Sequence, residues 1–165
     1  MRKERAEGFY LEAAMEHATM GRVVVEARIE NLLDRDRARR GEIAPDEVRS
    51  IVVPDALVDT GATRVSLPPS LIEKLGLDKF KSSRVRTANG VREVGLYGPV
   101  WLTVQDRYCM IDVADLPEDC PVLIGQVPLE LMDWVVDPKG QRLIGNPAHG
   151  GEWMSDMFWT SSVGS

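Results

Sequence analysis

Runs of β-branched residues separated by turn signals are the main pattern along this chain. Two runs, Arg22 to Ile29 and Arg49 to Val58, predict strands, because β-branched side chains pack well on a pleated sheet. Two pairs of alternating segments predict hairpins, one around Asn89-Gly90 and the other around Asp106-Arg107. A further hairpin is predicted near the end of the chain, around Pro138.

Helical signals are few and short. The segment from Ser66 to Gly76 begins with a capping residue and prolines that suit a first turn, and its final glycine can end a helix, so we expect a helix of about two turns there. A second helical turn is predicted to begin at Pro128. Because short, closely joined strands dominate, the predicted fold class is all-β, a closed β-barrel or sandwich with one or two short helices.

Length and charge narrow the class of protein. A chain of 165 residues with 44% hydrophobic residues can bury one core, so we expect one domain. Its net charge of −6 argues against a nucleic-acid-binding surface, which needs clustered Lys and Arg. No apolar stretch is long enough to cross a membrane, and no apolar core of a secretory signal follows the first residues. We therefore expect neither nucleic acid nor membrane as a partner.

The two cysteines, Cys109 and Cys120, have neither CxxC spacing nor a neighbouring histidine. This pattern predicts reduced, partly buried thiols in a cytoplasmic protein rather than a disulfide framework or a zinc site. The acidic residues between Asp112 and Asp119 lack the alternating ligand order of a calcium loop, so they predict a solvated loop. No metal and no other cofactor is expected.

The main domain is predicted at residues 21–147, with one insertion inside it and one further segment on either side. Residues 1–20 form an N-terminal extension, either an amphipathic arm or a leader. The charged segment 32–48 is predicted to be a loop insertion, because arginines alternate with aspartates there and Gly41 and Pro45 follow. Residues 148–165 form an aromatic tail, which we expect to pack on the barrel or on a partner subunit.

An acidic residue stands between an apolar run and a turn in the stretch ALVDTGAT, residues 56–63. Asp59 is compatible with an ordinary turn, because an aspartate accepts backbone N–H groups and Gly61 has permissive dihedral angles. A tripeptide such as Asp-Thr-Gly arises by chance in roughly a few per cent of chains of this length. The tripeptide alone therefore does not indicate a function, and the segments that accompany it in the sequence have to be considered.

Together with two later segments, this stretch resembles the retropepsin-like aspartic proteases, the family of retroviral proteases and their bacterial relatives. VLIG, residues 122–125, is similar to the second signature of the family. VRTANGVREV, residues 85–94, lies where the family has its flap. The three segments occur in the family's order over about residues 21–147, which is more specific than any one of them. The resemblance implies a retropepsin-like lobe that is active as a two-fold dimer.

The resemblance also implies an aspartic endopeptidase that hydrolyses extended polypeptides. This chemistry needs two carboxyl groups that share a proton, so that one activates a water while the other polarises the scissile carbonyl. Because the chain has a single Asp-Thr-Gly, the second Asp59 would come from a second copy across a two-fold axis. The expected partners are thus a second subunit, giving a homodimer, and a polypeptide substrate.

By the same resemblance, the expected site residues fall into three groups besides the catalytic Asp59. Thr60 would bond across the dimer axis, and Gly61 would leave space for substrate backbone. The complete groups are the active-site loop Thr60, Gly61, Ala62 and Thr63, the flap tip Thr87, Ala88, Asn89 and Gly90, and the catalytic-loop support Leu123, Ile124 and Gly125.

Two departures from the retroviral pattern keep a second interpretation open. The flap tip contains one glycine, Gly90, where retroviral flaps are glycine-rich, and Thr63 replaces an aspartate of the retroviral enzymes. The alternative is a catalytically inactive module that retains the fold for dimerisation or peptide binding, because a fold alone does not determine a function. The intact Asp-Thr-Gly favours the enzyme.

Overall fold

The computed structural model describes residues 22–87 and 89–155, and strands make up most of its regular structure. The strands are β1 (Val24–Asn31), β2 (Ser50–Val58), β3 (Val65–Leu67), β4 (Lys79–Thr87), β5 (Gly90–Val104), β6 (Arg107–Asp115), β7 (Leu123–Ile124), β8 (Trp134–Asp137) and β9 (Arg142–Gly145). The helices are α1 (Leu32–Arg39), α2 (Pro69–Lys74) and α3 (Gln126–Leu131), with 3₁₀ turns at Pro45–Glu47 and Pro147–His149.

The main sheet closes into a barrel. Its strand order is β1-β2-β7-β3-β6-β5-β4, and β1 also pairs with β5 through residues 27–31 and 100–104. This second pairing joins the first and sixth strands of the order, so β4 extends from the closed barrel through its hairpin with β5. The predicted all-β lobe with short helices is confirmed.

Aliphatic side chains fill the barrel. Inward-pointing residues of the barrel strands form this core, and the largest fully buried ones include Ile29, Leu67, Leu102 and Ile124. Helix α3 adds Leu129, which is 2% exposed. Each such side chain contributes about 1.5–3 kcal/mol through burial, so the core fixes the strands that lead into the loops at the barrel ends. In the part of the chain that the structure describes, no helix is long and apolar enough to cross a membrane.

Residues 32–39 form helix α1, so the loop predicted for segment 32–48 is wrong over this stretch. The side chain of Asn31 caps the helix by accepting a hydrogen bond from the Asp34 N–H at 3.1 Å. The buried carboxylate of Asp34 then accepts two hydrogen bonds from the Arg49 guanidinium, at 2.7 and 2.9 Å. The charge run indicated solvent exposure, but one of its aspartates is a buried partner of a distant arginine.

Other boundaries also differ from the predictions because strand pairing overrides local signals. Ser66 lies in β3, between β6 and β7, and therefore does not cap α2, which begins at Pro69. Helix α3 begins at Gln126, two residues before Pro128. The second segment of the hairpin predicted around Asn89-Gly90 and the first segment of the hairpin predicted around Asp106-Arg107 form one strand, β5, with an irregularity between residues 97 and 100. Cys109 and Cys120 are not joined in a disulfide, as predicted, and both are buried rather than partly buried.

A polar cluster fixes residues 146–154 to the barrel. The Asp133 carboxylate lies 2.6 Å from Nδ1 of His149 and accepts hydrogen bonds from the Asn146 side chain at 2.9 Å and the Met154 N–H at 3.1 Å. The buried Arg107 guanidinium donates to the carbonyl groups of Met132, Asp133 and Gly151. These contacts hold the segment that follows β9 against the end of α3.

The first part of the predicted aromatic tail packs on the barrel. Trp153 meets the ring of Tyr108 edge-on, with 5.1 Å between centroids, and its indole N–H donates to the Leu131 carbonyl at 3.3 Å. Residues 1–20 and 156–165 lie outside the described residues, so the other predictions for the extension and the tail stay predictions.

We predict that Asp133→Asn removes one cause of the loss of fold stability at low pH. The hydrogen bond with His149, followed by those from Asn146 and Met154, lowers the pKa of Asp133 to about 2. Because this pKa is lower than in an unfolded chain, the ionised carboxylate stabilises the fold above about pH 4, and this stabilisation is lost as the pH falls toward 2. In thermal unfolding followed by circular dichroism, the variant should unfold at a lower temperature than the wild type at pH 7, and the difference should shrink between pH 4 and pH 2.

Asp106→Asn, which changes an exposed carboxylate in the β5–β6 turn, is the control and should follow the wild type throughout. A Tm difference for Asp133→Asn that stays constant down to pH 2 would contradict the prediction.

Candidate active site

Asp59 directly follows β2 and begins a tight loop, residues 59–63, that leads into β3. Its N–H donates to the Ile124 carbonyl at 3.0 Å, which continues the parallel pairing of β2 with β7 by one residue. The backbone of Asp59 is therefore held by the sheet, while its side chain stands at the strand end. A side chain placed in this way is fixed in position yet accessible from outside the barrel.

The loop itself supports the Asp59 carboxylate. The Gly61 N–H donates to Oδ1 at 2.9 Å, as expected from the sequence, and the Ala62 N–H donates to the Asp59 carbonyl at 3.0 Å. A hydrogen bond to an ionised acceptor is stronger than one between neutral groups. A Cβ atom at position 61 would lie 3.1 Å from Oδ1, so the absence of a side chain there keeps space beside the carboxylate.

The loop is open on its outer side. Asp59 and Ala62 are half-buried, whereas Thr60, Gly61 and Thr63 are exposed. Within residues 22–87 and 89–155, the Thr60 hydroxyl makes no hydrogen bond and Asp59 makes no ion pair. A single chain thus presents one carboxylate and one unused hydroxyl on an accessible surface.

Strand β7 and the start of α3 pack beneath this loop. Leu123 and Ile124 pair with β2 on one side and with β3 on the other, so β7 separates the two strands that flank the loop. Three backbone N–H groups, those of residues 125, 126 and 127, donate to the carbonyl groups of residues 64, 62 and 63 at 2.8 to 3.0 Å. The segments ALVDTGAT and VLIG, far apart in sequence, are therefore in direct contact.

Gly125 allows this contact because it has no side chain. A Cβ atom at this position would lie 2.6 Å from the carbonyl oxygens of both Ala62 and Arg64, well inside van der Waals contact. Since both oxygens belong to the backbone, neither can rotate away. Any larger residue must displace the loop that carries Asp59.

The predicted flap is a hairpin of β4 and β5. Thr87 pairs with Gly90, and the Thr87 hydroxyl donates to the Gly90 carbonyl at 2.9 Å. Gly90 has φ +113°, a conformation that favours glycine. Asn89 is an exposed turn residue, and Ala88 lies outside the described residues. The predicted hairpin is present, but Gly90 is the first residue of β5 rather than part of the connection.

Sequence reasoning missed the role of Arg64, the residue after the loop. Its Nε donates to both carboxylate oxygens of Asp112 at 3.1 Å, and its carbonyl accepts the Gly125 N–H. Asp112 and Asp115 lie in β6, and Asp115 accepts the Gly95 N–H at 3.1 Å, so the solvated loop predicted for these residues is wrong. The position of Arg64 directly after the motif could have suggested a role for this residue. Its partner Asp112 could not be predicted from the sequence, because the two residues come together only through the pairing of β3 with β6.

Concave surface is also present away from Asp59. One depression lies between β1 and the β8–β9 hairpin, and another lies between α1 and Trp101. Neither includes a residue of the 59–63 loop.

We predict that Gly125→Ala destabilises the fold and disturbs the 59–63 loop. The added methyl group would overlap two backbone carbonyls, and overpacking of this kind costs about 1–3 kcal/mol. Urea unfolding should show this loss in the free energy of unfolding. Gln126→Ala, at the exposed neighbouring position, is the control and should change it by less than about 0.5 kcal/mol. Equal midpoints for Gly125→Ala and wild type would show that the loop does not need this close contact.

Comparison with protein families adds independent information about the same residues. A family model described as aspartyl protease matches residues 44–126, just over half of the chain. The matched range contains β2, the 59–63 loop, the β4–β5 hairpin and β7. No curated protein matches the chain.

Proposed function

Because the chain belongs to the aspartyl protease family, within the retropepsin-like clan, we propose that two copies assemble into an aspartic endopeptidase. The proposed active site contains Asp59 from each subunit at a two-fold axis. Its proposed substrate is an extended polypeptide, and its nucleophile is water.

The accessible Asp59 carboxylate at the end of β2 is the observation that carries this proposal. It is ordered by the sheet and by the Gly61 N–H, yet within the described residues it has no ion-pair partner. Hydrolysis of a peptide bond by the aspartic-protease route needs two carboxyl groups in different protonation states. A second copy supplies the missing carboxyl group, and an isologous two-fold contact places the same loop of both subunits at the axis.

In the proposed reaction, two Asp59 carboxyls share one proton because two like charges in contact cannot both stay ionised. The ionised Asp59 removes a proton from a water molecule, which attacks the scissile carbonyl carbon. The protonated Asp59 donates its proton to the carbonyl oxygen, and a tetrahedral gem-diol forms. The carboxyl that is now protonated transfers its proton to the amide nitrogen, and the C–N bond breaks. A hydroxyl of the gem-diol gives its proton to the other Asp59 as the carbonyl re-forms, so the pair again shares one proton and the products are a carboxylic acid and an amine. Atoms balance with one water consumed per bond cleaved.

The support beneath the loop would set the distance between the two carboxyls. Gly125 and the first turn of α3 hold the carbonyl groups of the last two loop residues and of Arg64, and β7 fixes the backbone of Asp59. Catalysis depends on such positioning because displacements of about 1 Å can cost roughly a hundredfold in rate. In this proposal Thr60, whose hydroxyl makes no hydrogen bond to the described residues of its own chain, bonds to the other subunit and keeps the two loops in register.

The β4–β5 hairpin is proposed to act as the flap. An extended polypeptide would lie between its tip, Thr87 to Gly90, and the Asp59 loop, with Ala62 and Thr63 on the groove wall. When a peptide binds in this extended form, main-chain hydrogen bonds provide the affinity, and pockets for its side chains determine which sequences are preferred.

A second candidate is a catalytically inactive dimerisation or peptide-binding module with the same fold. The glycine content of the flap tip favours it, since Gly90 is the one glycine between Thr87 and Val91. In that case the homodimer and the peptide groove would remain, without hydrolysis.

We predict that Asp59→Asn lowers the rate of peptide cleavage by about a hundredfold to ten-thousandfold, the usual contribution of general acid–base catalysis. An amide cannot accept the proton of the attacking water, although its shape is nearly that of the carboxylate. Cleavage of a denatured protein mixture from acidic to neutral pH, with and without a pepstatin-like inhibitor, measures the effect. Asp55→Asn, at an exposed position of β2, is the control and should retain wild-type activity. Equal cleavage by wild type and Asp59→Asn would exclude Asp59 as the catalyst.

We further predict that activity depends on two intact carboxyls in one dimer. When wild type and Asp59→Asn are mixed in equal amounts and allowed to exchange, about a quarter of the dimers carry both carboxylates by random association. Activity should then fall to about half of that of the same wild-type amount alone, and light scattering should give the mass of a dimer. Activity that stays proportional to the amount of wild-type chain would indicate that each Asp59 acts independently of the other, and a rise above that amount would indicate that one carboxyl per dimer suffices.

A further inference from the structure

Strand β4 carries an unusual concentration of positive charge for this acidic protein. Within its nine residues, KFKSSRVRT, lie Lys79, Lys81, Arg84 and Arg86, and all four side chains are exposed. The chain as a whole has a net charge of −6. We call these four residues with their strand the basic edge.

The cations of the basic edge form no ion pair with the described residues, and the nearest acidic position in the sheet register is Glu93 of β5, opposite Arg84. Across residues 22–87 and 89–155, none of its four cations has a carboxylate within 4.0 Å. Elsewhere eight arginines form ion pairs, namely Arg28, Arg35, Arg37, Arg39, Arg40, Arg49, Arg64 and Arg142. The positive charge left for an external partner is thus concentrated on this strand.

The backbone of the same strand is also available. β4 is the last strand of the seven-stranded sheet, and its one pairing among the described strands is with β5. The opposite edge of β4 therefore presents unpaired N–H and C=O groups, which can accept an added strand. An extended polypeptide can bind there through main-chain hydrogen bonds.

The spacing of the cations suits a strand-like ligand. Arg84 and Arg86 lie on one face of β4, and Lys81 lies on the other, because successive side chains alternate. Residues two apart in a strand are separated by roughly 7 Å, in β4 and in an added strand alike. Carboxylates at alternate positions of the ligand would therefore meet Arg84 and Arg86 in turn.

Charged residues on an edge strand can also serve to prevent unwanted pairing between strands. Lysine is the residue most often used for that role, but β4 carries two arginines as well, and the remainder of this protein is acidic. A positive edge attracts acidic segments while the rest of the surface repels them. Charge complementarity thus favours acidic polypeptides over neutral or basic ones as ligands of this strand.

We propose that the basic edge binds an acidic, extended segment of the polypeptide substrate by adding it as a strand beside β4. This rests on the proposed function, because the bound segment is taken to belong to a chain that the enzyme cleaves. The same hairpin ends in the flap tip, Thr87 to Gly90, so a segment held on β4 is tethered next to the element that closes over substrate. The basic edge therefore favours polypeptides with an acidic stretch near the cleavage site.

Binding is measured by fluorescence anisotropy with the Asp59→Asn protein, so that cleavage does not interfere. The probes are labelled nine-residue peptides with Glu, Gln or Lys at alternate positions between threonines. The test variant also carries Lys81→Gln, Arg84→Gln and Arg86→Gln. A matched control instead carries Arg22→Gln, Lys74→Gln and Lys139→Gln, three exposed positions outside β4 without an ion pair in the described part of the chain.

We expect the Glu peptide to bind at least about tenfold more tightly than the Gln peptide, with the difference decreasing as salt is added. The test variant should lose this preference and the matched control should keep it. Amide NMR shifts on titration should concentrate in residues 79–87. Equal binding of the two peptides, or equal loss in both variants, would overturn the proposal. Equal competition by a single-stranded oligonucleotide would also overturn it, because nucleic acid would then be the ligand.

Cleavage assays with the wild-type protein separate this inference from the proposed function. Two substrates share one cleavable sequence and differ in a flanking Glu or Gln stretch. A lower KM for the Glu substrate, lost in the triple variant made with Asp59 intact, supports the inference. Cleavage of both substrates with the same KM overturns it while the protease assignment stands. Absence of cleavage would instead refute the proposed function. The anisotropy measurement alone would then determine whether the basic edge binds acidic peptides.

Discussion

The insertion of β7 between β2 and β3 is the constraint on which the candidate site depends. Two residues, Leu123 and Ile124, pair with both neighbours, and Gly125 continues directly under the 59–63 loop. Because the carbonyl of Ile124 accepts the Asp59 N–H, the strand that completes the barrel also orients the acidic residue. Stability of the core and geometry of the site are thus linked through one short segment.

Most of the strand architecture could be predicted from the sequence because it follows from local alternation and turn chemistry. The β4–β5, β5–β6 and β8–β9 hairpins all lie where alternating residues flank turn signals. The motif around Asp59 was equally visible because strand, turn and permissive glycine are adjacent in the chain. The contact between this motif and residues 122–127 could be expected only by resemblance to a family, since no local pattern reports it.

The errors share a physical cause, which is pairing between distant residues. Helix α1 depends on the Asp34–Arg49 hydrogen bonds, and Ser66 is a strand residue because β6 and β7 lie on either side of it. Charged residues gave the poorest guidance. Within one short sequence Asp34 is buried and Asp36 is half-exposed, and Arg64 pairs with an aspartate 48 positions away. Whether a charge is solvated or paired is decided by topology rather than by composition.

Closure of the barrel by β1 and β5 has a consequence for how the chain folds. Residues 27–31 pair with residues 100–104, so the pairing that closes the barrel joins segments far apart in the chain. The chain must lose the conformational entropy of closing this long loop before the contacts of the pairing can stabilise it. Topologies of this kind fold slowly for their size, and β1 cannot complete its pairing on the ribosome until β5 has been synthesised. The nascent chain consequently exposes aggregation-prone apolar strands for much of its synthesis, and chaperone protection has most to offer in that interval.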